Sequence, residues 1–480
     1  MTVPVLVWLR DDLRLADNPA LHAAAVSGRP VLPVYVLDEL SPGRWRLGGA
    51  ARWWLHHSLA ALDASLRAVG SRLVLRRGRA DVVLREVVAA SGADRVFWNR
   101  RYEPWALALD KRLKAELGEA GIEVRSGNAR LGHEPWEVQQ QAGGPYKVYT
   151  PYARAWLAKD PPGPPLPAPA RLEAPERWPD SEVLDSWSLL PTRPDWSGGL
   201  RETWQPGERA ALAQLDRFLA AALAGYGLGR DRPDRPATSR LSPHLRFGEL
   251  GPRQVLAAIE RVIADGQVAP EQAFAYKRQL VWRDFAYHTL WHAPDLPERA
   301  LRAEFERFPW RDDAAGRAAW RHGRTGFPIV DAGMRELRTT GWMHNRVRMI
   351  VGSFLTKDLL IPWQDGADWF WDELVDADLA NNAMGWQWVA GCGIDAAPYF
   401  RIFNPVSQGE KFDPQGHYVA RWVPELAALG PAWIHKPWQA PEDELARAGI
   451  RLGETYPRPI VDHALARRRA LDAYQSLRTS

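Results

Sequence analysis

The sequence predicts two domains of different class, an α/β domain built on a doubly wound parallel sheet over residues 1–130 and a large all-α domain over residues 205–480. Three observations predict it. Short apolar runs alternate with amphipathic stretches at the start, proline crowds the middle, and helical periodicity dominates the rest. A Pro-rich connector over residues 131–204 joins the two.

The first part holds four short apolar runs, from Val3 to Arg10, Val31 to Leu37, Arg72 to Leu75 and Arg95 to Asn99. Continuous runs of that length read as strands buried on both faces. The stretches between them, such as Ala50 to Leu62 and Ala80 to Val88, are amphipathic and of helical length. Alternation of the two kinds predicts a parallel sheet, because parallel neighbours need a crossover. No Gly-x-Gly-x-x-Gly follows the first run, so the ordinary dinucleotide fingerprint is absent. In the middle, Lys159-Asp-Pro-Pro-Gly-Pro-Pro-Leu-Pro-Ala-Pro and its surroundings lose strong periodicity, the pattern of an ordered or semi-extended linker. Further on, the apolar spacing predicts helices at 207–225, 251–265, 270–292, 328–340, 342–360 and 365–375. There is neither an internal repeat nor a heptad array.

Composition narrows the function classes. With 480 residues, 46% hydrophobic and 25% charged, the chain can bury more than one core. It has no run near the roughly 18 apolar residues of a membrane span, and its opening lacks the order of a signal peptide, so a cytoplasmic location is expected. One cysteine, Cys392, excludes internal disulfides and a cysteine-cluster zinc site. A net charge of +4 does not announce nucleic acid, so a DNA surface would need basic residues gathered on one face. Tryptophan is the outlier at 25 copies, which is core or interface material in most proteins.

Four segments carry chemistry. From Tyr226 and Arg230 to Arg246, the hydroxyls of Thr238, Ser239 and Ser242, the Arg240 guanidinium and free amides at a helix start would cradle phosphate, although a capped surface turn uses the same residues. In Tyr276-Lys-Arg-Gln-Leu-Val-Trp-Arg, helical spacing puts Tyr276, Gln279 and Arg283 on one side with Trp282 beside them, and Trp282 could stack on an extruded base. A third helix carries Asn345, Arg346, Arg348 and Met349. Asp376 and Asp378, followed by Asn381 and Asn382 and by Trp386 and Trp388, place acceptors and donors at the rim of an apolar pocket. Taken alone, the two aspartates could equally cap a helix or form half of a metal site, and the lack of nearby His or Cys argues against the metal.

Taken together, these segments resemble the DNA photolyase and cryptochrome family over nearly the whole chain. The opening Trp8-Leu-Arg-Asp-Asp-Leu-Arg, Thr325-Gly-Phe-Pro-Ile-Val-Asp-Ala-Gly-Met-Arg, the Asn345 helix, Asp376 to Trp388, and the block from Pro398 to Asp413 all resemble family blocks in order. The resemblance implies an α/β antenna domain joined to a helical FAD-binding domain. It implies a light-driven carbon–carbon lyase, in which reduced anionic FAD lends an electron to a cyclobutane pyrimidine dimer flipped out of UV-damaged DNA.

Carried over residue by residue, the resemblance gives Tyr226, Thr238, Ser239, Arg240, Leu241 and Ser242 to the FAD diphosphate side. Tyr276, Gln279, Arg283, Asn345, Arg348, Asp376, Asp378 and Asn382 surround the rest of the cofactor, with Arg348 and Asp376 paired near the isoalloxazine and Asn382 at flavin N5. Trp282 and Trp388 pack on the dimer, Asn345, Arg346 and Met349 line its pocket, and Arg230, Arg401 and Gln408 approach the strand. Trp310, Trp363 and Trp386 match the chain that re-reduces the flavin.

Gln279 departs from the usual glutamate of dimer-repair members and is more familiar in the (6-4) branch, but that branch has histidines where Asn345 and Met349 stand here. A carboxamide can still accept from thymine N3–H and donate to O4, so Gln279 is expected to contact the lesion. Leu131-Gly-His-Glu-Pro and Gly144-Pro-Tyr-Lys-Val-Tyr-Thr-Pro resemble the bacterial subclass allied to plant cryptochromes, class III. A second, antenna chromophore is expected, a folate, a deazaflavin or FMN, with methenyltetrahydrofolate favoured although the loop from Asn99 to Ala106 lacks the Asn-Glu pair with which many bacterial members grip folate, and the protein is expected to act as a monomer without an obligate protein partner. The rival readings are a cryptochrome-like photoreceptor without repair, a (6-4) photolyase, and a metal enzyme built on His288 and His292, whose four-residue spacing suits packing as well as ligation.

Overall fold

The computed structural model describes residues 3–395 and 400–479. The first domain runs β1 (Val5–Leu9), α1 (Pro19–Ala25), β2 (Val31–Leu37), α2 (Gly49–Ala68), β3 (Val74–Arg77), α3 (Ala80–Ser91), β4 (Arg95–Asn99), α4 (Pro104–Glu119) and β5 (Glu123–Gly127). All neighbours pair in parallel, in the order β3-β2-β1-β4-β5. β1 and β2 are wholly buried because helices cover both faces of the sheet, which explains their unbroken apolar runs. β5 is polar at alternate positions and only half-buried, and its sequence gave no apolar run to mark it. The order reverses at β1, so the loops leaving β1 and β4 diverge and open a crevice at the carboxyl ends of the strands.

The connector is more structured than the semi-extended linker its composition suggests. It contains α5 (Tyr149–Leu157), whose Tyr149, Tyr152 and Trp156 are buried, and later α6 (Gly198–Thr203). Aromatic side chains on one face of α5 compensate for the proline around it by packing on the long helix of the second domain.

The helical domain continues with α7 (Glu208–Ala221), α8 (Tyr226–Gly229), α9 (Ser242–Phe247), α10 (Pro252–Ala264), α11 (Pro270–His292), α12 (Ala314–Arg321), α13 (Pro328–Thr340), α14 (Asn345–Ser353), α15 (Trp363–Glu373), α16 (Leu379–Ala390), α17 (Pro405–Phe412), α18 (His417–Trp422), α19 (Glu442–Arg447) and α20 (His463–Thr479). The expected helix at 342–360 begins three residues later. Gly341 closes α13 in the left-handed region, and the His344 ring then caps α14 by accepting from the Arg346 N–H. It also loosens into a π turn over Phe354–Asp358.

The two domains share a core. Trp54 of α2 stacks on Phe247 and lies edge-on to Trp204, and its indole N–H donates to Glu249 at 3.0 Å. Gly248, at φ +66°, lets this loop touch the backbone of Asp11, where any Cβ would collide at 2.0 Å.

Candidate functional site

α9 is short, so its start is held by side chains. Leu241 is fully buried and anchors the loop before it. Tyr276 of α11, packed edge-on to Tyr226, donates from its hydroxyl to Ser239 Oγ at 3.0 Å, and Gln214 donates to the Ser239 carbonyl. Ser242 accepts from the Trp342 indole at 3.2 Å. Arg240 is at φ +54°, which turns its guanidinium between the rings of Trp204 and Trp342, 4.5 and 4.8 Å away. Among the described residues, that guanidinium and the backbone N–H groups of Thr238, Ser239, Arg240 and Ser242 make no hydrogen bond. Unpaired donors of this kind around one loop fit a diphosphate.

Two helices supply the next wall. On α14, Val347, Ile350 and Val351 are buried, while Asn345, Arg348 and Met349, three and four apart, share the face the protein leaves open. Arg348 donates through Nε to the Met343 carbonyl and through Nη2 to both oxygens of Asp376, at 2.8 and 3.1 Å. The expected ion pair is therefore present. On α16, Asn382 donates to the Ala367 carbonyl of α15 at 2.9 Å.

Asp378 requires a correction. Its carboxylate caps α16 by accepting from the Asn381 N–H, and its other oxygen faces Arg130 at 3.1 Å and the Tyr287 hydroxyl. Both oxygens are thus engaged within the protein, and the side chain is not free for a cofactor. The helix-cap alternative read from the sequence holds here. Burial opposes its ionisation, but Arg130 and Arg283 outweigh that and hold it below the usual carboxylate range.

The same charges tie the domains together. Buried Asp11, just after β1, meets Arg101 at 3.1 Å, Arg246 at 2.9 Å and Arg130, and their charges overcome its burial and lower its pKa. Arg246 also donates to the Ala377 carbonyl, and Arg283 donates to the Arg130 carbonyl and lies over the Tyr287 ring. Arg130, Tyr287, Asp11 and Arg246 were not singled out in the sequence, because ion pairs between residues over a hundred apart leave no periodic trace.

Around the expected lesion pocket, Gln279 is half-buried and donates to Ala275 of its own helix, and its carbonyl oxygen makes no hydrogen bond among the described residues. Trp282 has one face covered by the Tyr149 ring, so a single face is left for a base. Arg346 is committed to Asp231 at 3.0 Å and lies over Phe412, and Arg230 lies over Tyr226 and 3.9 Å from the same aspartate. Gln408, half-buried on α17, keeps a buried carbonyl oxygen without a partner among the described residues, and Arg401 is exposed beside Phe403. Trp388 and Arg401 line one small cavity with Phe400 and Phe403. Pro398 and Tyr399 lie outside the described residues.

Trp310, Trp363 and Trp386 belong to one core, the first half-buried and the other two buried. Trp386 follows Asn382 by one turn and brings the outer edge of its indole against α15 at Gly366, where a Cβ would sit 2.1 Å from the ring. His288 uses both ring nitrogens, one facing the Pro135 carbonyl and one accepting from the Tyr146 N–H, and burial pushes its pKa down to about 4. It is a packed core group. At the sheet crevice, an open cavity is walled by Trp8, Trp45, Trp105 and Trp371, with Asp38, Arg101 and Glu103 among its polar groups. Among the described residues, the buried Trp8 indole N–H has no partner.

A parallel-sheet domain with an aromatic crevice, fused to a helical domain holding open phosphate donors and a half-buried Arg–Asp pair, has the features of a protein that binds a large anionic cofactor. Residues 276–476 match the FAD binding domain of DNA photolyase, and residues 5–170 match DNA photolyase. A deoxyribodipyrimidine photo-lyase of Agrobacterium fabrum is 54% identical over 99% of this chain and 98% of its own. The crystal structure of a class III photolyase from Agrobacterium tumefaciens superposes with a TM-score of 0.97 at 52% identity, covering 100% and 98% of the two chains. Cryptochrome-1 of Arabidopsis thaliana is 42% identical over 96% of this chain and 69% of its own. The chain belongs to the DNA photolyase and cryptochrome family.

Proposed function

We propose that this protein is a deoxyribodipyrimidine photolyase of the class III type, splitting cyclobutane pyrimidine dimers in UV-damaged DNA with near-ultraviolet or blue light. The observation that carries the reading is the 54% identity to a photo-lyase along almost the full length of both chains. When bound, reduced FAD supplies the photo-excited electron that the dimer accepts and later returns.

The chain's own residues bind, orient and exclude. Ser239, Arg240 and Ser242 offer donors to the diphosphate, with Tyr226, Tyr276 and Leu241 holding the loop. Arg348, held by Asp376, would offer a cation to the anionic form of the bound flavin. Asn382, whose amide donates to the Ala367 carbonyl, would present a neutral group to flavin N5. Gln279 presents its free oxygen to thymine N3–H, while Trp282 and Trp388 bracket the extruded pair and Asn345 and Met349 fill the floor between them. Arg346 lines the pocket beside them, and Arg230, Arg401 and Gln408 hold the strand, which makes binding sensitive to salt. Trp310, Trp363 and Trp386 carry electrons inward to restore the reduced cofactor.

The sheet crevice takes the antenna pigment. A folate suits it, since indole walls stack on a flat pterin and mixed carboxylates and guanidiniums meet its N–H edge and anionic tail. The enzyme works as a monomer in the cytoplasm. Among the described residues, no helix is long and apolar enough to cross a membrane. The test is to illuminate the reduced protein with separate cyclobutane and (6-4) oligonucleotides and follow products by chromatography. Restoration of only the cyclobutane substrate supports the proposal, and restoration of only the (6-4) substrate, or of neither, overturns it.

A further inference from the structure

The connector reaches the lesion pocket. Tyr149, the first residue of α5, lies parallel to Trp282 with ring centroids 3.5 Å apart and planes within 4°. Its hydroxyl donates to the Arg278 carbonyl at 3.1 Å, one turn before Trp282 on α11. Its backbone N–H donates to Asp395 Oδ1 at 3.3 Å. Asp395 in turn accepts the Trp388 indole N–H on its backbone carbonyl at 3.1 Å. It does so from the left-handed region, at φ +52°, a conformation that aspartate tolerates better than most residues but that still needs holding. A continuous path therefore runs from Trp282 through Tyr149 and Asp395 to Trp388.

We propose that Tyr149 and Asp395 are positioning residues for lesion recognition, a clamp that sets the plane of Trp282 and the spacing between Trp282 and Trp388. The inference rests on the reading of these two tryptophans as the walls that hold the flipped dimer. Face-to-face stacking fixes the plane of one indole, and the Asp395 carbonyl fixes the edge of the other. The Trp282 ring cannot tilt without breaking its stack on the connector, nor the Trp388 ring without breaking its hydrogen bond to Asp395. Rigid, correctly spaced walls favour a covalently joined base pair over two independent bases, because only the joined pair fills the gap as one body. The clamp thus selects the damaged substrate and has no part in electron transfer.

The test uses the flavin-loaded full chain and duplexes with and without one thymine dimer. Tyr149→Leu and Asp395→Ala should each weaken dimer binding about 5- to 20-fold, within the range that loss of base stacking produces. They should leave affinity for undamaged duplex and the flavin spectrum as they were. In turnover, KM should rise by that factor, with kcat falling less than twofold. Tyr149→Phe and Asp395→Asn should restore most of the affinity, because a phenyl ring still stacks and an amide oxygen still accepts from the Tyr149 N–H. Trp282→Ala separates the two levels of the argument. If Trp282→Ala weakens dimer binding and both clamp variants bind within twofold of the parent, the clamp is overturned. If Trp282→Ala itself binds the dimer like the parent, the pocket reading fails and the clamp with it. Should Tyr149→Leu not retain flavin, the half-buried Asp395→Ala decides alone.

Discussion

Replacing Arg130 with methionine should destabilise the protein more than most single changes, and the structure says by how much. Its guanidinium is 2% exposed and holds Asp11 and Asp378, which are 9% and 8% exposed. Removing one partner of a buried ion pair costs about 3–5 kcal/mol, because the other charge stays buried. Asp11 keeps Arg101 and Arg246, so the loss falls mainly on Asp378, and the lower end, about 3 kcal/mol, is expected. For domains of this size that lowers Tm by roughly 6–12 °C.

The dependence on pH follows from the same residues. Both carboxyls are held below their ordinary range in the folded protein. Their stabilisation is therefore complete above an unfolded pKa of about 3.9 and is lost as pH falls through the folded values. The gap between parent and Arg130→Met should accordingly be full at neutral pH and shrink in acid below about pH 4. Adding Asp378→Asn to Arg130→Met removes the stranded charge and should recover part of the loss. The assay is thermal unfolding at matched scan rate and pH. A shift under about 2 °C at neutral pH, or a double variant less stable than Arg130→Met, would refute the account of this network.

Four further outcomes are expected. Gln279→Glu should change dimer affinity or repair yield by roughly fivefold, the worth of about 1 kcal/mol in one hydrogen bond, and a variant matching the parent in both would remove Gln279 from lesion recognition. Trp386→Phe should lose most light-driven reduction of oxidised flavin, measured by bleaching under blue light, while dithionite-reduced protein still repairs. Arg230→Gln should reduce the slope of log affinity against log salt by about 1 for damaged and undamaged DNA alike, as titrations across salt would show. Trp105→Leu should release the antenna pigment but not the flavin, seen as loss of one absorption band after purification.

Much of this was legible in the sequence for physical reasons that differ by element. β1 and β2 announced themselves because burial on both faces demands unbroken apolar runs, whereas half-polar β5 did not. Helices with one buried stripe, such as α10 and α13, were placed within a residue or two. The α5 helix hid among prolines, since its stability comes from packing Tyr149, Tyr152 and Trp156 on α11. In the site, Arg348 and Asp376 could be paired through family blocks. Arg130 could not, because its partners lie 119 and 248 positions away in the chain. Asp378 was assigned to the cofactor by resemblance, whereas its carboxylate serves a helix end and an arginine that is distant in the chain. The Tyr149 stack on Trp282 was invisible for the same reason as Arg130.

The most direct test is a single saturating blue flash delivered to the reduced, flavin-loaded protein in complex with a dimer-containing oligonucleotide. Restored thymines should appear after the flash at no more than one pair per flavin, and none should form in the dark or in flavin-free protein. Dimer opening in darkness, or illuminated complexes in which every cyclobutane ring survives, would contradict the account.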